Sequence, residues 1–386
     1  MKACLHHMHA FQSDLICGED LRCCSIKLCL VPSGMTPIIE QESAAMGVAV
    51  ARPGHGFDGL LLAGTEKTLS GLAQKLKRGG DKTAESGELI LELLRKTRRR
   101  PRGALQLGRY SLPLGKRTLI MGILNVTPDS FSDGGKFNRL PAAVERAYQM
   151  AEEGADIIDI GGESTRPGYR KISEEEELAR VMPVIEALKS DPGFPAPLSI
   201  DTCKAAVAQE ALQAGVEMVN DIWGLKADPR LGEVTASFGV PICLMHNRNS
   251  TDYRDLVPEV IFELQDSIDL ARAAGISDDR IIIDPGIGFG KTLEQNLAVM
   301  HRLADFRGLG YPLLLGTSRK SMIGKTLNLP SEERLEGTAA TVAYGIAAGA
   351  HIVRVHDVKE IRRVVLMTDA IVRRAEDQAE DQIGGQ

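Results

Sequence analysis

The stretch "ADIIDIGG" (residues 155–162) sets three isoleucines around one aspartate and ends on two glycines. Its apolar residues run on rather than alternate, and it is too short for a helix, so it reads as a strand covered on both faces. Seven further runs share that character: "TLIMGILNV" (118–126), "PLSIDT" (197–202), "EMVNDI" (217–222), "PICLMH" (241–246), "RIIIDPG" (280–286), "PLLLGTS" (312–318) and "IVRVHD" (352–357). A polar or glycine-containing loop follows each, and most lead into a helical pattern such as "EEEELARVMPVIEALKS" (174–190). Apolar strands alternating with helices predict a parallel sheet covered by helices on both sides. Eight such units in about 280 residues match the count and size of a closed barrel. A doubly wound open sheet is the runner-up, but no G-x-G-x-x-G turn supports it. The expected fold is α/β, a (β/α)8 TIM barrel with a small N-terminal extension.

The chain outside these runs is read by composition. Of 386 residues, 43% are hydrophobic and 25% charged, as in ordinary globular proteins, and the net charge of −6 argues against a nucleic-acid partner. No apolar run reaches the length of a membrane-spanning helix. Five of the seven cysteines (Cys4, Cys17, Cys23, Cys24, Cys29) crowd the first 30 residues, which is no disulfide framework for a large domain and suggests a reducing cytoplasm. Residues 1–34 show no clear period and are expected to be disordered, or a start-site extension ahead of Met35. Residues 35–103 carry mixed signals for a small α/β or helical appendage, closed by the linker-like "RKTRRRPRG" (95–103). Residues 104–386 are assigned to the barrel.

The carboxyl ends of the eight runs are all polar. They carry Asn125, Asp159, Asp201, Asn220 with Asp221, His246, Asp284, Ser318, and Arg354 with His356. Each alone is explicable as a helix cap or turn former. Together they fall where barrel enzymes gather their chemistry. Asp201, Asn220 and Asp284 suit a flat heterocycle with several N–H donors, since carboxylates and amides read such edges. Arg166, Lys320, Arg354 and His356 suit a phosphate or a carboxylate. Asn125 and the hydroxyls of "TPDSFSDGG" (127–135) offer hard oxygens of the kind Mg2+ prefers on a diphosphate. The barrel lacks a zinc-ligand spacing and a G-x-S-x-G elbow, and "GFGKT" (288–292) lacks the glycine spacing of a Walker loop.

Taken in order, "GILNVTPDSFSDGG", "DIIDIGGESTRPG", "LSIDT", "VNDIWG", "IIDPGIGFGKT", "GTSRKSMIG" and "IVRVHDV" resemble the dihydropteroate synthase family over about residues 117–370. The resemblance implies condensation of 6-hydroxymethyl-7,8-dihydropterin diphosphate with 4-aminobenzoate, with Mg2+ as cofactor and a homodimer as the assembly. It also implies sensitivity to sulfonamides. By position it gives Asp201, Asn220 and Asp284 to the pterin, with Asp159 nearby and Lys320 between pterin and amine. Asn125, Arg354 and His356 fall to the diphosphate, with Asn125 on the metal. Thr165 and Arg166 lie on a second mobile loop, and Ser318 lies near the aminobenzoate carboxylate. Met245, Phe289 and Gly316 form pocket walls. Lys320, Arg354, His356, Asn125 and Asp201 are the expected catalytic set. The 124–135 loop would close over the substrates, with Pro128 fixing one torsion and Gly134 and Gly135 freeing others.

One segment departs from the family. After Met245 and His246 the chain reads "NRNSTDYRD" (247–255), where the family has a glycine- and proline-containing turn. His246 reads as a structural residue at a strand end rather than a catalyst. Two competing readings exist: a corrinoid-dependent methyltransferase on a similar barrel, and a degenerate pterin-binding scaffold. The first would not need "TPDSFSDGG", "SRK" or "RVHDV", and the second would be expected to have lost its charged site residues.

Overall fold

A computed structural model describes residues 2–6, 23–29, 31, 34–52, 59–98, 103–127, 139–163 and 171–373. The chain divides into two compact units, Met1–Arg100 with Arg302–Gly310, and Pro101–His301 with Tyr311–Gln386.

The first unit contains β1 (Lys2–His6), β2 (Cys23–Cys29), α1 (Thr36–Ala45), β3 (Ala49–Ala51), β4 (Gly59–Thr65), α2 (Glu66–Arg78) and α3 (Asp81–Arg98). Its strands form an antiparallel sheet in the order β1-β2-β4-β3. Ile26 faces Leu62 and Leu28 faces Leu60, and all four are fully buried. Helix α2 buries Leu69, Leu72, Ala73 and Leu76 at three- and four-residue spacing, and the Thr65 hydroxyl caps it by accepting the Thr68 N–H. The expectation of disorder for residues 1–34 is therefore corrected for 23–29. Within "CCSIKLC" the described inward-facing side chains are Ile26 and Leu28, an alternation too short to stand out beside so many cysteines. Leu28→Ala is expected to destabilise this unit by about 2–5 kcal/mol. Hydrogen exchange of the 59–65 amides would then accelerate, and undiminished protection would mean that β2 does not hold the sheet.

The second unit begins with a hairpin, β5 (Gly103–Leu107) and β6 (Tyr110–Leu114). Eight short strands follow: β7 (Leu119–Asn125), β8 (Ile157–Gly161), β9 (Leu198–Asp201), β10 (Met218–Asp221), β11 (Ile242–Met245), β12 (Ile281–Asp284), β13 (Leu314–Leu315) and β14 (Ile352–Val355). Between and after them run α4 (Arg139–Glu153), α5 (Glu174–Ser190), α6 (Ala205–Gln213), α7 (Arg230–Phe238), α8 (Leu256–Ala273), α9 (Leu293–His301), α10 (Ser321–Leu327), α11 (Leu335–Ala347) and α12 (Val358–Val372). Every pairing is parallel, in the order β12-β11-β10-β9-β8-β7-β14-β13. A parallel bridge between Ile283 and Leu313 joins the two ends and closes the barrel.

The hairpin fills the barrel's amino-terminal end. Leu105, Leu107 and Leu114 pack with Met121, Ile157, Met218, Cys243, Ile282, Leu314 and Ile352, residues from the early part of seven strands. Access to the interior is left at the carboxyl end. Among the described residues no helix is long and apolar enough to cross a membrane.

Candidate active site

Strand register brings the polar ends together. Asn125 pairs with Gly161, Gly161 with Asp201, Asp201 with Asn220, and Met245 with Asp284. Asp159 sits two residues below Gly161 on β8, fully buried.

Arg354 organises the centre. Its Nε donates to Asp159 Oδ2 at 2.6 Å and its Nη2 to Asp201 Oδ2 at 2.6 Å. Asn220 Nδ2 donates to the same Asp159 oxygen at 3.0 Å. Asp159 Oδ1 has no partner among the described residues. One buried guanidinium thus holds two buried carboxylates and, through one of them, an amide. Burial pushes the Asp201 carboxyl above its ordinary range, Arg354 opposes this, and Asp159 adds to it. Burial likewise raises Asp284 to about 6, against the Gly286 N–H, which donates to its Oδ1 at 2.7 Å, and against Lys320.

Lys320 lies near the same groups, close enough to Arg354, Asp284 and Asp201 for their charges to act on it. Its Nζ stands 4.0 Å from the centroid of the Phe289 ring, and burial lowers it to about 8, with Arg354 adding to the shift. Gly316 lies beside Asp284 and Arg354. A Cβ there would lie 3.7 Å from Asp284 Oδ2 and 3.9 Å from Arg354 Cβ. Met245 is buried at the end of β11.

Two of the expected residues meet each other: Ser318 Oγ accepts the His356 N–H at 3.1 Å and faces its Nδ1 at 3.0 Å, so this hydroxyl helps to orient the imidazole. Burial, then Arg354, depresses His356 to about 3. That shift favours the neutral ring, a hydrogen-bonding group. Thr165, Arg166 and the 128–135 part of the first loop lie outside the described residues.

Sequence reading passed over Arg319. It adopts φ +56°, a left-handed conformation that costs a side-chain-bearing residue energy and that collects at functional sites. Every polar part of it is held. Its guanidinium forms a two-pronged pair with Asp357, its N–H donates to Thr338 Oγ1 at 3.1 Å, and its carbonyl accepts from Arg334 at 2.9 Å. Residues 318 and 319 are thereby clipped to 356 and 357, which sets the direction in which Lys320 leaves the chain. Asp221, beside Asn220, is also structural: it accepts the N–H groups of Trp223 and Leu225 at 2.8 and 2.6 Å.

Residues 121–356 match the family model described as pterin binding enzyme. The chain is 56% identical over 271 residues to a dihydropteroate synthase of Clostridium beijerinckii, covering 70% of this chain and 100% of that protein. A dihydropteroate synthase structure from Clostridium difficile, determined in the presence of pteroic acid, is 53% identical, with a TM-score of 0.66 over 67% of this chain and 98% of that one. The Xanthomonas albilineans dihydropteroate synthase structure with 4-aminobenzoic acid is 42% identical, with a TM-score of 0.67 over 70% of this chain and 98% of that one.

Proposed function

The chain belongs to the pterin-binding enzymes as a dihydropteroate synthase, and on that premise we propose how its site divides the work. The enzyme is a transferase. It condenses 6-hydroxymethyl-7,8-dihydropterin diphosphate with 4-aminobenzoate, forming 7,8-dihydropteroate and releasing diphosphate. The observation that carries the assignment of roles is the buried set of Asp159, Asp201, Asn220 and Arg354, with Asp284 and Lys320 across the same opening.

Asp201, Asn220 and Asp284 present acceptors and a mixed amide to the donor-rich edge of the pterin. Phe289, Met245 and Gly316 accommodate its flat faces. Lys320 and Arg354 supply positive charge where the diphosphate departs, so its developing charge is met by groups already fixed in place. An arylamine is mostly neutral at pH 7 and needs placement more than a strong base. His356, oriented by Ser318, offers a ring nitrogen for hydrogen bonding on the same side.

Magnesium fits this donor set. Asn125 Oδ1 and Asp201 Oδ2 lie 3.8 and 3.6 Å from the point where a Gly161 Cβ would stand, so two hard oxygens flank one corner. Among the described residues no group of three His, Cys, Asp or Glu side chains could cage an ion. That suits a dication that keeps water and substrate phosphate oxygens as most of its ligands, with Asn125 as the protein's contribution. When bound, it neutralises charge on the diphosphate.

A coupled assay of diphosphate release with both substrates tests the assignment. Release should require both and should yield dihydropteroate in equal amount. Binding of the pterin without turnover would instead favour a scaffold.

Two of the shifted groups, Asp284 and Lys320, bound an expected pH profile. Asp284 must be ionised to accept a pterin N–H, so kcat/KM for the pterin substrate should rise as pH passes upward through about 6. Lys320 must be protonated, so the same quantity should fall above about 8. Lys320→Arg should move the falling limb to higher pH. An unmoved limb would remove Lys320 from the titrating role.

A further inference from the structure

We infer that Lys291, seated on His246, is a positioning residue for the pterin substrate, because together they fix the 285–290 loop against which Lys320 lies. The inference rests on reading that pocket as the pterin site.

The loop cannot hold its own shape. Gly286, Gly288 and Gly290 have φ of +71°, +86° and +53°, three left-handed residues in five, which leaves no regular backbone pairing. It is also pressed tightly into place. A Cβ at Gly286 would lie 1.9 Å from the His246 carbonyl oxygen, and one at Gly288 would lie 3.0 Å from Lys320 Cδ.

Lys291 ties both ends of the loop at once. Its Nζ donates to the Gly286 carbonyl at 3.0 Å and the Phe289 carbonyl at 3.1 Å, and stands 2.9 Å from His246 Nδ1. The third contact fixes the histidine tautomer. Nδ1 must accept from the lysine, so Nε2 carries the proton and donates to Glu263 Oε2 at 3.1 Å. His246 is fully buried, and burial depresses it to about 4, as a neutral ring requires. Burial lowers Lys291 to about 7, while its three acceptors each need a proton, so all three are served below that pH.

The 247–255 turn braces the loop from outside. Tyr253 Oη donates to the Gly290 carbonyl at 2.9 Å. Arg248 stacks on the Tyr253 ring, 3.8 Å from its centroid, and donates to Glu263 at 2.9 Å. Glu263 therefore joins the inner tie to the outer brace. The turn thus has an assignment: it backs the wall that carries Phe289, on which Lys320 rests.

The experiment compares wild type, Lys291→Met and Tyr253→Phe at pH 6.5. It measures pterin diphosphate affinity by calorimetry, both KM values, and thermal midpoints. Lys291→Met should weaken pterin diphosphate binding by about tenfold or more, equivalent to about 1.4 kcal/mol or more. The KM for 4-aminobenzoate at saturating pterin should stay within about twofold, under about 0.4 kcal/mol. Tyr253→Phe, which loses one hydrogen bond at the half-buried outer face, should weaken pterin binding in the same direction by about threefold with little change in melting. If Lys291→Met does not fold, Tyr253→Phe decides alone. Unchanged pterin affinity in the folded variants, or a parallel rise in both KM values with a lower melting midpoint, would overturn the positioning role. A wild-type chain that turns over but yields normal pterin binding in both variants leaves the site reading standing and this inference refuted. A wild type that binds no pterin overturns both.

Discussion

Arg354→Met should remove nearly all turnover and destabilise the barrel by about 3–5 kcal/mol. The two losses share a cause. The guanidinium donates 2.6 Å bonds to Asp159 and Asp201, which are 0% and 9% exposed, and no other described cation hydrogen-bonds to either. Without it, two carboxylates remain in the barrel's interior. Each must stay charged without its partner or take up a proton, and both alternatives are costly. Methionine fills most of the volume, so cavity formation adds little and the electrostatic loss is what urea denaturation would read. Loss of the charge would also lower kcat by about 10²–10³, the size seen when one fixed stabilising group is removed from a reaction site. Arg354→Met with Asp201→Asn should recover part of the stability and none of the activity. A single variant with wild-type denaturation would show that the buried pairs are not what holds this centre together.

Lys320→Ala should behave oppositely in stability. It should cost about 10²–10³ in kcat/KM for the pterin diphosphate while leaving the unfolding midpoint unchanged or slightly higher. Burial already disfavours its ammonium, lowering it to about 8, and its Nζ rests over the Phe289 ring without a hydrogen bond to a described residue. A charge held in that way destabilises the resting protein and is retained for what it does to the substrate. Steady-state kinetics beside thermal melting separates the two outcomes. Turnover near that of the wild type would sink the assignment, and a melting loss as large as that of Arg354→Met would make Lys320 a structural ion.

What was legible in the sequence follows from the range of the interactions. The barrel could be read because each strand declares itself within a few residues, as 155–162 does. The polar rim was legible for the same reason, since Asn125, Asp201 and Asp284 each close an apolar run. Pairing across the barrel was not. Arg354 and Asp159 are 195 residues apart, and nothing local to either says that one will hold the other. The contact of Ser318 with a histidine 38 residues later was hidden in the same way. Arg319 escaped because a left-handed conformation is flagged by glycine or asparagine, and an arginine forced into it carries no such flag. In the first unit, Ile26 and Leu28 are two apolar residues among cysteines, and only their partners Leu62 and Leu60 reveal that they face inward.

The hairpin plug separates heritable risks. Ile157, Met218, Ile282 and Ile352 lie two residues, roughly 7 Å, before Asp159, Asn220, Asp284 and Arg354, and the hairpin leucines packed beneath them lie about 10 Å or more from the reacting groups. At that distance free-energy changes add rather than interact. A lineage can therefore drift at the rim, altering the fit of substrates or of a drug that imitates one, while a better-packed Leu105, Leu107 or Leu114 layer offsets the lost stability from below. Selection on the floor is selection for tolerance, and it acts without touching an atom that a substrate meets.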